Sequence, residues 1–111
     1  MKLDVIIGEQ TIAINVPDTL IEEAQTFFDK MDNDMNRGWQ ISRRWVDNPD
    51  TEQRCKIAAD RILGAIELDN RKLATMMAGY ILSRAPKVSA VDISTNGEIE
   101  ETQLIFSQEA P

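Results

Sequence analysis

The run Gly38-Trp39-Gln40-Ile41-Ser42-Arg43-Arg44-Trp45 holds both tryptophans of the chain, six residues apart, with an arginine pair between them. Indole and guanidinium groups are over-represented at binding hot spots, and an arginine can stack on an indole while it pairs an anion. Trp39, Arg43, Arg44 and Trp45 are therefore the candidate partner-binding residues. If the segment is helical, the two indoles stand about 240° apart around the axis. One could then enter the core while the other stays near the surface.

The remaining reactive side chains do not assemble into a catalytic or metal-binding motif. Histidine is absent, which removes His-based triads, imidazole metal ligands and the side chain best suited to proton transfer near neutral pH. With one cysteine and no histidine, a zinc site would have to be built almost wholly from carboxylates. Asp32, Asp34 and Asn36 match the first, third and fifth positions of a calcium loop, but Arg37 stands where that loop needs glycine. Arg43 stands where it needs a bidentate glutamate, so the three polar residues read instead as the wet face of a helix. Cys55 sits between Arg54 and Lys56 early in a helix, where a thiolate would be favoured, yet no base or second thiol accompanies it. Packing beside Ile57 and Ala58 is its expected role. Glu100 and Glu101 would point to opposite faces of a strand, and Glu22 and Glu23 suit a helix start, so neither pair can share a proton. The five glycines never approach a phosphate-loop spacing. No catalytic residue, cofactor or metal is expected, and the chain reads as a non-enzyme.

Charge is distributed unevenly. The net charge is −7, but residues 36–87 carry ten basic against six acidic side chains, +4, leaving −11 for the rest. Such a dipolar chain could steer an anionic partner to its middle or a cationic one to its ends. Apolar residues at 42% and charged residues at 28% are close to the globular norm, so the chain should fold as one domain over residues 1–106. The polar end, 107–111, is expected to be a flexible tail. No apolar run approaches the roughly 20 residues of a membrane helix. The opening MKLDVIIGEQ lacks the marks of a signal peptide, so a cytoplasmic address is expected.

These residues must be positioned by elements that the hydrophobic pattern outlines. Leu3, Val5 and Ile7, then Ile12, Ile14 and Val16, alternate with other residues on either side of Gly8-Glu9. That is a β-hairpin with a type II′ turn, pairing Val5 with Ile12 and Leu3 with Ile14. After Pro17, with Asp18 or Thr19 as cap, a stripe of Leu20, Ala24, Phe27, Phe28, Met31 and Met35 marks a helix. The stripe can run on through Trp39, Ser42 and Val46, as one helix over 19–46 or as two divided at Gly38. A second helix starts at Asp50 or Thr51 and runs to about Leu68, with Ile57, Ala58, Ile62, Ala65 and Ile66 inward and Arg54, Asp60 and Arg61 outward. A joint at Asp69-Asn70 leads to a third helix ending near Arg84, whose Met76, Met77, Gly79 and Tyr80 suit the core, with a homodimer seam as the competing role.

The chain closes with a second hairpin, Val88–Ser94 and Ile99–Phe106, around Thr95-Asn96-Gly97. A two-residue turn would set Val91 opposite Thr102, and a bulged three-residue turn would set Ile93 opposite Ile99. The expected fold is α+β in the order ββ-ααα-ββ, a four-stranded antiparallel sheet from two hairpins with helices on one side.

The leading functional expectation is a small non-enzymatic protein-interaction, regulatory or assembly protein. One alternative is single-stranded nucleic-acid binding through the basic middle segment, disfavoured by an acidic pI of about 4.5. The other is a small-ligand enzyme whose site is completed by oligomerisation.

Overall fold

In a computed structural model, which describes residues 1–107, two layers form: a four-stranded sheet and helices covering one of its faces. The first hairpin is β1 (Lys2–Ile7) and β2 (Gln10–Asn15), and its register pairs Val5 with Ile12 and Leu3 with Ile14 as the alternation requires. Gly8 has φ 61° and Glu9 has no positive φ, the pattern of a type II′ turn.

The helical segment differs from the expected three rods. Helix α1 (Asp18–Glu23) and α2 (Gln25–Asn36) are divided at Ala24, and the first begins at Pro17 without a side-chain cap from Asp18 or Thr19. No helix continues to residue 46. Gly38, with φ 104°, leaves the helix, and its N–H closes back on the Met35 carbonyl, so the glycine acts as a C-terminal stop. The segment then forms a small separate hairpin, β3 (Trp39–Ile41) and β4 (Arg44–Val46), joined by Ser42 and Arg43.

Helix α3 (Thr51–Glu67) starts with a capping box between Asp50 and Gln53, and α4 (Arg71–Arg84) starts under the Asn70 side chain. The expected joint at Asp69-Asn70 is present, with Asp69 at φ 53°. The two helices make the most extensive packing between elements. Helix α4 is buried on most of its circumference from Ala74 to Leu82. Its methionines and Tyr80 therefore serve the core rather than a dimer seam. Gly79 lets Leu20 and Phe28 approach: a Cβ there would stand 3.2 Å from Leu20 Cδ2 and 3.3 Å from Phe28 Cζ.

The final pair, β5 (Val88–Asp92) and β6 (Gln103–Phe106), follows neither expected register, since Val91 stands opposite Leu104. The connection is longer than a tight turn. It contains a 3₁₀ turn at Ile99–Glu101 and is closed by the buried Thr102, whose hydroxyl accepts from the Ser94 N–H at 3.0 Å.

The sheet order is β2-β1-β5-β6, and β1 pairs with β5 in parallel, so the sheet is mixed rather than wholly antiparallel. The helical block returns the chain to the end of the sheet that it left, so β5 starts beside the start of β1 and runs with it. Strand β1 gains the central place suited to its apolar Leu3, Val5, Ile6 and Ile7. Between the layers, Leu3, Val5, Ile14 and Val91 meet Phe28, Ile62, Met77 and Ile81 in one core. Among the described residues no helix is long and apolar enough to cross a membrane. Of the end expected to be a tail, 107–111, only Ser107 is described, its N–H bonded to the Lys87 carbonyl at 2.7 Å; the rest lies outside the described residues.

Candidate functional site

Two clusters merit attention: the β3–β4 hairpin named by its composition, and a polar network that the sequence reading did not foresee.

In the hairpin, strand parity rather than helical phase separates the indoles. Trp39 lies opposite Val46, and Ile41 opposite Arg44, so these four share one face, while Gln40 and Trp45 share the other. Ile41 is buried, and Trp39 and Val46 pack against the core. Trp45 points the other way and is 56% exposed. It is nonetheless held in place. Its indole N–H donates to Asp47 Oδ1 at 2.9 Å, and its ring lies against the Gly38 backbone so closely that a Cβ there would stand 2.5 Å from Nε1.

The two arginines also separate. Arg44 reaches Glu100 Oε1 at 2.8 Å, joining the hairpin to the 3₁₀ turn before β6. Lys56 adds to that junction by donating to the Glu100 carbonyl at 3.1 Å. Arg43 occupies the loop tip, exposed and without an ion pair among the described residues. Beside it Ser42 has φ 55°, uncommon for a residue with a side chain, and its buried hydroxyl has no partner among the described residues. Of the four candidates, Arg43 and Trp45 thus present exposed side chains, while Trp39 and Arg44 attach the hairpin to the body.

The second cluster centres on Asp32 in α2, expected on a wet helix face but in fact facing α3 and α4. Its carboxylate accepts from Tyr80 Oη at 2.5 Å, Arg84 Nε at 2.9 Å and Arg54 Nη1 at 3.2 Å. Burial alone would push its pKa up, but these three hydrogen bonds outweigh that and hold it below the ordinary carboxylate value. Tyr80 moves the other way, its phenol kept protonated by burial and by the carboxylate it serves.

Arg54, expected to face outward, turns inward and has no N–H to spare. Nε donates to the Pro49 carbonyl, Nη1 to the Asp32 carbonyl and carboxylate, and Nη2 to the Asn36 and Asn48 side chains. Arg84 also bonds Gln25, Ser83 and Asp29, and its guanidinium lies 5.8 Å and 5.4 Å from the ring centres of Phe28 and Tyr80. A cleft of about 370 Å³ opens beside these groups. With Arg54 saturated and Arg84 nearly so, the network is a staple holding three helices together rather than a ready anion receptor.

A signal for it exists in helical phase. Asp32 is four residues after Phe28 and three before Met35, and Arg54 is four before Ala58 and eight before Ile62. A charge on an apolar stripe must find an opposite charge on another.

Cys55 is fully buried, and burial together with the negative charge of Asp32 pushes its thiol up to about 12. It is packed as expected beside Ile57 and Ala58. Among the described residues no group of three or more potential metal-ligating side chains assembles. Compared with protein-family models, curated proteins and solved structures, the chain matches none.

Proposed function

We propose that this protein is a non-enzymatic interaction module that engages a protein partner through the tip and outer face of the β3–β4 hairpin. The observation that carries this reading is the state of Trp45, which is more than half exposed and yet fixed from behind by Gly38 and Asp47. A large aromatic ring ordered before binding loses little freedom on contact, and ordering costs are what most often erode interface affinity. Arg43 beside it offers an uncommitted guanidinium for a carboxylate or carbonyl of the partner.

Protein is favoured over nucleic acid because four of the ten basic residues of the middle segment are already committed. Arg44, Arg54, Lys56 and Arg84 are all engaged with carboxylates of the chain itself. Asp47 and Glu100 also lie at the hairpin, where they would repel a phosphate backbone.

The test is affinity capture from the native host's lysate after nuclease treatment, comparing wild type with Trp45→Ala and Arg43→Glu. Truncating a hot-spot tryptophan costs about 2 kcal/mol or more, so Trp45→Ala should lower partner recovery roughly thirtyfold. Each variant should keep the wild-type circular dichroism, because neither side chain belongs to the core. A partner retained equally by both variants would remove the hairpin from the account, and a nuclease-sensitive one would move the reading to nucleic acid.

A further inference from the structure

Strand β2 is an edge of the sheet, and among the described residues no further strand pairs with it. In a hairpin closed by a two-residue loop, the residues flanking the loop exchange both backbone bonds, so Gln10, Ile12 and Ile14 direct their N–H and C=O groups at β1. The groups of Thr11, Ala13 and Asn15 point outward, and no described residue bonds to them. Natural proteins blunt such an edge with charge, proline, a bulge or brevity. Strand β2 uses none of these: it is Gln-Thr-Ile-Ala-Ile-Asn, six residues without a charge or a proline, in continuous register. In a chain of net charge −7, this neutral edge is a place where two copies can meet without repulsion.

We infer that β2 pairs antiparallel with β2 of a second copy of this chain, about a two-fold axis at Ala13. The three outward-facing residues are symmetric about that position. Ala13 meets its own counterpart and Thr11 meets Asn15, giving about six interchain backbone bonds, two for each pair. Ile12 then lies beside the second copy's Ile14 on the inner face, which covers the part of Ile12 that the monomer leaves exposed.

The ground beside the edge also suits a second copy. A groove of about 400 Å³ runs between β2 and the α3–α4 corner, with Ile66 and Ala74 in its wall. Leu68, 81% exposed, stands at the same corner. Asp69 and Arg71 line the groove two residues apart, opposite in sign, and neither forms an ion pair among the described residues. A second copy brings the same pair of charges, so each has a residue of opposite sign available on the other copy. The result is one eight-stranded sheet with β6 at both ends.

The experiment is sedimentation equilibrium on the full chain, which has a monomer mass of 12.5 kDa, with Ala13→Asp and Ala13→Lys. Ala13 is exposed on the outer face, so both variants should fold, as circular dichroism will report. The wild type should be dimeric at micromolar concentration. Each variant alone should dimerise about tenfold more weakly or worse, because like charges then face each other at the axis. An equal mixture of the two should recover the dimer, since aspartate then faces lysine. A monomeric wild type, a dimer indifferent to both variants, or a mixture that stays monomeric would each overturn the inference.

Discussion

At the scale of single residues, Asp32 joins α2 to α3 and α4 through Arg54, Tyr80 and Arg84. Its loss would leave two mostly buried guanidinium groups without their central counter-charge. Removing one partner of a buried ion pair costs about 3 kcal/mol or more. Asp32→Asn should lower the urea midpoint accordingly, and Tyr80→Phe should cost about 2 kcal/mol through one lost hydrogen bond to a charged group. The pH dependence has a definite sign. The folded-state pKa of Asp32 lies below its ordinary 3.8, so its contribution is complete above that pH and is lost as pH falls through the folded value. The stability gap between wild type and Asp32→Asn should therefore narrow below about pH 3.8. A gap unchanged from neutrality into that acid range would mean that the charge of Asp32 is not what holds the helices.

At the scale of elements, the β3–β4 hairpin depends on Gly38. The glycine has φ 104°, and the Trp45 indole occupies the space where any side chain would begin. Gly38→Ala should cost about 2 kcal/mol from backbone strain, with displacement of the indole added to it. Because Trp39 packs on the core, the accompanying change in tryptophan fluorescence should come from Trp45 and should vanish in a Trp45→Phe background. An alanine variant with wild-type stability and fluorescence would show that indole and backbone are not in contact. The same hairpin explains why the helical stripe misled at this point. Val46 does fall seven residues after Trp39, but once a glycine ends the helix, spacing alone no longer distinguishes a helix turn from a short strand pair.

At the scale of the whole molecule, the two proposals use different elements, the β3–β4 hairpin for a partner and the β2 edge for a second copy. Pairing through β2 would couple stability to concentration, because anything that binds only the folded state raises its apparent stability. The melting temperature of the wild type should rise with protein concentration, while that of Ala13→Asp should stay flat. Equal slopes for the two proteins would show that β2 contributes nothing to association.

What neighbouring residues decide among themselves was legible before the chain folded. Period-two alternation around Gly8 set the register of the first hairpin, because a one-residue slip would turn Leu3, Val5, Ile12 and Ile14 to solvent. The Asp50 cap and the Asn70 joint bounded α3 and α4, since a helix start needs an acceptor for its free N–H groups. Composition also singled out the Trp–Arg segment. Which of its side chains tie the hairpin to the body depended on long-range packing, because Arg44 pairs with Glu100, 56 residues away. The Asp32 staple likewise joins residues 22, 48 and 52 positions apart, and no local pattern specifies such partners. The parallel β1–β5 pairing was decided at the same level. It depends on the end of the sheet to which the helical block returns the chain, and that follows from how α1 to α4 pack together rather than from the alternation within either strand.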